Sequence, residues 1–412
     1  MDTKLGKKFW TAMLVFGLMG QVAWVVENMY FNVFIYKMFH ATPGDISAMV
    51  MASAVMAALT TIIMGAVSDK VGKRKAFMTV GYIIWGVSII SFAYINSVIL
   101  TIVMDCVMTF FGSTANDAAY NAWLTDRGND GNRGKIEGFN SMMPLVSILI
   151  VFGGFMSFNL DSHSAWKTIY YIIGGATVVI GILGFFLIEE KKGLEKSKES
   201  LGATLVYSFR PDVIKKNVPL YGILTYFAVF GISIQIFMPY LILYYEKGLG
   251  MENYVLIMAP AIVVAAVITA FYGNLYDRLG FRASLIPTIV MLLAGYLVLY
   301  IFKSTVPVFI GSLLMMTGYL SGMSVFGAAL RDRIPENRAG QFQGVRIIGQ
   351  VFIPGIIGPA IGAYALRDAE MILNSDGTSS FLPDSSIFFA ALIPAVIILI
   401  GIIIQRKSFK NG

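Results

Sequence analysis

The sequence predicts an all-α membrane protein: twelve transmembrane helices in two pseudo-symmetric six-helix bundles. Three observations carry this expectation. The 412 residues are 57% hydrophobic and only 13% charged, with mean hydropathy +0.73, whereas a soluble domain carries about a quarter charged residues. Apolar runs recur along the chain at the length, roughly 20 residues, that crosses a bilayer as a helix. Two different hydrophilic loops also return in the same order. Gly65, Asp69, Gly72 and Arg74 match Gly273, Asp277, Gly280 and Arg282, each 208 residues on. Leu124, Asp126, Arg127, Asn132, Arg133 and Gly138 match Leu330, Asp332, Arg333, Asn337, Arg338 and Gly344 at nearly the same offset, 205 or 206 residues. One half is a diverged, parallel copy of the other.

The basic stretch Met1–Lys8 precedes an apolar run too long, and too rich in Asn and Glu, for the core of a signal peptide, so it leads into a retained first span. The expected spans are 9–36, 46–67, 76–96, 98–124, 137–158 and 167–188, then 218–244, 252–274, 284–302, 306–330, 342–365 and 386–405. The halves are thus 1–188 and 218–412. The connector 189–217 starts with EEKKGLEKSKES, and a surface-lying amphipathic helix is expected in its later part. Basic residues orient the chain. With both termini inside, 25 of the 31 Lys and Arg fall in cytoplasmic segments, while Lys37, Lys167, Lys247, Lys303 and Arg367 face outward. The expected location is therefore the cell inner (plasma) membrane with both termini cytoplasmic. This one-sidedness also accounts for the net charge of +7 without a nucleic-acid partner. Cys106 is alone, which excludes an intramolecular disulfide, and His40 and His163 lie in connecting segments, so no intramembrane His metal site is available. No metal and no cofactor other than a coupling ion is expected.

An acid at mid-membrane costs ~2.5–3.5 kcal/mol on insertion scales. Acidic residues inside the spans therefore call for a reason. The first span carries Gln21, Glu27, Asn28 and Asn32, of which 21, 28 and 32 share a face and 27 lies one position off it. In the fourth span Asp105, Thr109, Ser113, Asn116 and Tyr120 fall on one stripe, with Asp117 and Asn121 on its shoulder and Trp123 beyond. Such a stripe must line water or the bundle interior. Glu27 and Asp117 are the candidates for cation or proton coupling, with Asp105 behind them, and Asn28, Asn32, Asn116, Tyr120, Asn121 and Trp123 beside them are candidate coupling or substrate contacts; the bland reading is structural acids bonded to polar neighbours. The second half offers neutral groups instead: Tyr226, Gln235, Tyr319 and Gln350 as candidate solute contacts, with Arg346 the one buried cation. Hydroxyl-rich solutes need donors, acceptors and ring faces together, which this set supplies.

Each repeated loop has a helix-ending Gly, an Asp four residues later, then a Gly and basic residues. A carboxylate at a helix end can pair with an Arg of a neighbouring span or face another helix's positive end. A cytoplasmic gate is therefore expected from Gly65, Asp69, Gly72, Arg74, Asp126, Arg127 and Arg133, echoed by Asp277, Arg282, Asp332, Arg333 and Arg338. The bland alternative is a set of polar connectors.

GAVSDKVGKRK at Gly65–Lys75 resembles the loop 2–3 signature of the major facilitator superfamily, and GNLYDRLGFR at Gly273–Arg282 resembles its second-half echo. The resemblance extends over the whole chain. It implies the major facilitator fold, two bundles around a central cavity, working by alternating access. It says almost nothing about substrate. The stretch NDAAYNAWLTDRGNDGNRGKIEG, from Asn116 to Gly138, is similar to the glycoside–pentoside–hexuronide:cation symporters, the melibiose permease group. In that group an Asp of this span contacts the sugar, and Asp117 is the matching position. The group's sodium-binding carboxylates lie on the second span, where residues 46–67 here contain no acid. Its lysine on the eleventh span also has no counterpart, Arg346 and Gln350 being nearest.

The expected function is secondary active transport by alternating access: cation (H+ or Na+) symport of a sugar or similar neutral polar solute. The alternative is a proton-driven exporter of hydrophobic or cationic compounds on the same fold. An enzyme is not expected, since no paired His, Cys with a base or phosphate-cradling Gly loop occurs. The expected partners are a small-molecule solute and membrane lipid, with the chain acting as a monomer.

Overall fold

The structure, a computed structural model, describes residues 5–128, 133–190, 207–334, 339–374 and 377–404. Among the described residues, eleven helices are long and apolar enough to cross a membrane: Lys7–Phe39, Pro43–Val71, Lys75–Tyr94, Val98–Arg127, His163–Leu187, Val218–Gly248, Val255–Tyr272, Leu275–Ile301, Thr305–Arg331, Gly344–Ala365 and Ser386–Ile404. Between Val98–Arg127 and His163–Leu187 runs a further helix, Arg133–Phe155, apolar over Met142–Phe155. These make twelve spans in chain order. Their outward side chains are apolar, Ile99, Phe186, Phe271 and Ile404 among the most exposed. That inverts a soluble surface and identifies an integral membrane protein.

The chain forms two compact units: Met1–Phe39 with Ala52–Leu205, and His40–Met51 with Val206–Gly412. The cut falls inside the expected connector 189–217, and the one difference is that His40–Met51 groups with the second unit. The His40 backbone is left-handed, with φ 52°, and its ring meets Thr378 Oγ1 at 3.1 Å and Ser380 Oγ at 3.2 Å. Tyr240 donates to the Pro43 carbonyl at 2.9 Å. Thr378 and Ser380 lie at an element the sequence reading missed, an antiparallel ribbon of Met371–Leu373 with Ser379–Phe381. Of the expected connector helix, the described part is the short Pro211–Lys216, which buries only Val213.

Within each unit the repeat is visible as repeated neighbours. Span 1 packs along spans 5 and 6, and span 3 along spans 4 and 6; span 7 packs along spans 11 and 12, and span 9 along spans 10 and 12. No hydrophobic force pulls helices together in lipid, so close approach depends on small residues. Spans 3 and 6 meet glycine to glycine. A Cβ on Gly86 would stand 2.5 Å from the Gly174 carbonyl oxygen, and one on Gly174 2.6 Å from that of Gly86.

The repeated loop also has a shared backbone device. Gly72 has φ 68° and Gly280 φ 75°, conformations that L side chains rarely adopt. The helix of span 2 runs to Val71, so Gly65 does not end it as expected; Asp69 sits in its last turn. In the second unit the helix likewise continues beyond the apolar part of span 8 through Asp277, and the backbone leaves helical geometry at Gly280, within the first turns of span 9. The residues between the two glycines of each loop are adequate helix formers, so the chain turns only where φ changes sign. Both Gly65 and Gly280 have open space where a Cβ would be. Gly280→Ala should therefore cost about 1–2 kcal/mol through backbone strain. Gly65→Ala should instead stabilise by about 0.5–1 kcal/mol. Thermal unfolding of the two purified variants checks the opposite signs.

Candidate functional site

Spans 1, 2 and 4 of the first unit converge on Glu27. Its Oε1 accepts from Ser53 Oγ at 2.6 Å and from Thr109 Oγ1 at 2.9 Å. The two hydroxyls also stand 2.9 Å from each other. Three short contacts here share two hydroxyl protons. Glu27 Oε2 is buried without a hydrogen-bond partner, the residue being 6% exposed. Asp105, one turn from Thr109 on the same face and 2% exposed, lies by Ser53 within electrostatic reach of Glu27. Its Oδ1 is also buried and unpartnered. Further along the stripe, Trp24 and Ser113 flank the Asp117 carboxyl, yet Trp24 Nε1 and Ser113 Oγ make no hydrogen bond. Asp117 itself is half-buried.

Both acids sit in widened turns. Val26–Tyr30 holds Glu27 and Ser113–Tyr120 holds Asp117, each a π-helical segment inside an otherwise α-helical span. A π turn adds a residue, strains the carbonyl ladder and is common at functional sites. Neighbouring asparagines support it. Asn28 Nδ2 donates to Trp24 O at 2.8 Å, Asn32 Nδ2 to Asn28 O at 3.0 Å, and Asn121 Nδ2 to Asp117 O at 3.1 Å.

These bonds revise several expected solute contacts. Asn32, fully buried, and Asn121 spend their amides on backbone. Asn116 donates to Tyr82 Oη at 2.8 Å, and Tyr82 in turn to Phe16 O at 2.6 Å, a link between spans 1, 3 and 4. Tyr120 donates to Met13 O at 3.0 Å. Trp123 is buried against Phe9 and donates to Glu189 O at 2.9 Å. Asn116, Tyr120 and Trp123 are thus interhelical ties. In the second unit Gln235 lies where span 7 crosses Gly358 of span 11, and Tyr226 lies on Gly401 of span 12. Gln350 sits in another π segment, Ile348–Phe352, and accepts from Arg346 Nε at 3.1 Å. Tyr319 is half-buried on span 10. Sequence reasoning missed Ser53 and Trp24; it placed Thr109 and Ser113 on the polar stripe but not beside Glu27 and Asp117.

The repeated loops behave differently in the two units. Arg74, 5% exposed, reaches Asp69 at 2.5 Å, Asp126 at 2.9 Å and Ser68 Oγ at 2.6 Å. One guanidinium so joins the ends of spans 2 and 4 at the start of span 3. Glu190 caps span 3, accepting from the backbone N–H of Arg74 at 3.2 Å and of Lys75 at 3.1 Å, a carboxylate where the helix end is positive. Glu189 pairs with Lys8 at 3.3 Å and Arg127 at 3.5 Å. These pairs lie within one unit. A cleft of about 750 Å³ opens here among Lys8, Lys75, Arg127, Glu189 and Glu190, on residues separate from the Glu27 cluster. In the second unit Asp332 accepts from Tyr276 Oη at 2.6 Å, and Arg333 donates to Ala329 O at 3.1 Å. Arg282 Nε is buried without a hydrogen-bond partner, and Asp277 is exposed. Among the described residues the expected second latch between Arg282 and an acid is not formed, and Asp332 is held by a tyrosine instead. The side chain of Arg133, and Arg338, lie outside the described residues.

Twelve spans in two units of repeated packing, one with a carboxyl-bearing polar stripe inside it, define a membrane transport protein. The chain belongs to the Major Facilitator Superfamily, whose family profile matches residues 9–359. It is similar to sugar efflux transporter B of Salmonella typhimurium, 21% identical over 178 residues, 43% of this chain and 45% of that protein; the match spans less than half of that relative. Its fold is that of the nucleoside transporter NupG, with TM-score 0.73 at 12% identity over 98% of this chain and all of that one. It is also that of the xylose transporter XylE from E. coli, with TM-score 0.72 at 12% identity over 99% of each chain. A bacterial homolog of the human lysosomal transporter Spinster gives TM-score 0.74 at 15% identity over 98% of each.

Removing the Arg74 side chain strands Asp126 among buried neighbours. Arg74→Ala should lower stability by about 2 kcal/mol, whereas Arg282→Ala should cost well under that. Side-by-side melting curves of the two variants read the difference.

Proposed function

We propose that this protein is a cation-coupled secondary transporter of a sugar or similar neutral polar solute, working by alternating access. One observation carries the reading. Inside the first unit, Glu27 of span 1 meets the polar stripe of span 4 that carries Asp105 and Asp117. Among the described residues, ion pairs of that unit lie at helix ends: Lys37 with Asp161, Arg74 with Asp69 and Asp126, Lys8 and Arg127 with Glu189. Uncompensated carboxyls at such depth are functional by default. Asp117, with the Trp24 ring and the Ser113 hydroxyl beside it, suits a polyhydroxylated solute, and Glu27 suits the coupling ion, H+ or Na+. The similarity to a sugar efflux transporter and the fold shared with nucleoside and xylose transporters support solutes of this kind. In this reading the chain sits as a monomer in the inner membrane with both termini cytoplasmic. The Arg74 cluster then braces the cytoplasmic ends of the first unit while the cycle turns.

A second reading, a proton-driven exporter, is favoured by the efflux function in the name of the Salmonella relative. Proteoliposomes with imposed proton or sodium gradients and a panel of sugars and nucleosides decide direction and ion. Asp117→Asn should weaken solute affinity about 10–100-fold, the loss of a charge-assisted hydrogen bond. Glu27→Gln should retain counterflow exchange while abolishing accumulation against a gradient. A variant that still concentrates solute would reduce Glu27 to a structural acid.

A further inference from the structure

We propose that Glu27, Asp105, Ser53 and Thr109 together form a binding site for one small monovalent cation of sodium's size. The proposal rests on the cation-coupled reading above and names its ion. It differs from the site that the melibiose-group resemblance implies, whose carboxylates lie on the second span. Here the second span contributes one hydroxyl.

The donors are two carboxylates and two hydroxyls, oxygen throughout, which selects hard cations over zinc-like metals. They come from three rigid helices, with Asp105 and Thr109 on one face of span 4. Two features point to a bound positive charge. Ser53 and Thr109 both direct their hydroxyl to Glu27 Oε1, at 2.6 and 2.9 Å, while standing 2.9 Å apart. With both protons on the carboxylate, the two hydroxyl oxygens turn lone pairs toward each other. Glu27 Oε2 and Asp105 Oδ1 are moreover buried with no hydrogen-bond partner, although each residue is more than nine-tenths buried. An unpaired carboxylate oxygen at such depth is costly.

A single proton can link only two of these oxygens. One cation can face several at once, including both hydroxyl lone pairs. The neutral hydroxyls make a modest ligand field, suited to an ion that must leave in every cycle. Calcium takes six to eight oxygens and magnesium keeps several waters, which four side chains on tightly packed helices serve poorly.

The test is ion-dependent melting of the purified full-length protein at constant ionic strength, with choline replaced by sodium, potassium, calcium or magnesium. Saturable stabilisation by sodium, absent with potassium, is the expected result. Asp105→Asn should abolish it, and Ser53→Ala should weaken apparent sodium affinity about tenfold or more. The serine variant retains the carboxylates and guards against an Asp105 variant that fails to fold. Absence of sodium stabilisation in the wild type, unchanged affinity in Ser53→Ala, or stabilisation by a divalent ion instead would each overturn the proposal. Proton-driven uptake by a protein that ignores sodium would sink this inference while leaving the proposed function standing.

Discussion

Hydrocarbon offers a buried polar group no partner, and the rest of this protein follows from that constraint. It forces the backbone into helices, because each span must satisfy its own carbonyls and amides. It removes the usual hydrophobic attraction between helices, so spans 3 and 6 meet through Gly86 and Gly174 rather than through large side chains. It also makes each internal carboxyl a local problem. Arg74 resolves that problem for Asp126 with a guanidinium whose other side meets the exposed Asp69. Glu27 has only two hydroxyls, and they meet one of its two oxygens.

The two units show what duplication preserves. Gly72 and Gly280 keep the same left-handed turn, since any side chain there is strained whatever surrounds it. The side-chain chemistry around those turns has drifted. Asp126 is held by an arginine, and its counterpart Asp332 by the Tyr276 hydroxyl. A backbone conformation is dictated by one residue, whereas an ion pair depends on several helices and is free to be rebuilt.

The span positions, the internal repeat and the acids Glu27 and Asp117 were legible in the sequence, because hydropathy and charge act at the scale of single segments. The companions of Glu27 were not. That Ser53 and Thr109 meet on one carboxylate oxygen depends on how three helices are rotated about their axes, which no single span encodes. The ribbon at Met371–Leu373 was missed because three-residue strands give no periodicity to read. Asn116, Tyr120 and Trp123 appeared as solute contacts because buried polar residues look alike in sequence, whether they bind a ligand or tie helices together.

The widened turns explain a subtler error. Reading span 1 with 3.6 residues per turn put Glu27 one position off the face that holds Asn28 and Asn32. The structure buries Glu27 and exposes Asn28, because Val26–Tyr30 is π-helical and the extra residue shifts the helical phase there. Span 4 repeats the pattern: Asp117 sat on the shoulder of its stripe in the α-helical reading and lies within the π segment Ser113–Tyr120. Asn28 and Asn121, taken as binding groups, instead hold carbonyls at the edges of these segments. The asparagines and the carboxyls are therefore parts of one device. The amides stabilise a wide turn, and the wide turn aims an acid at a neighbouring span that a regular helix would direct elsewhere.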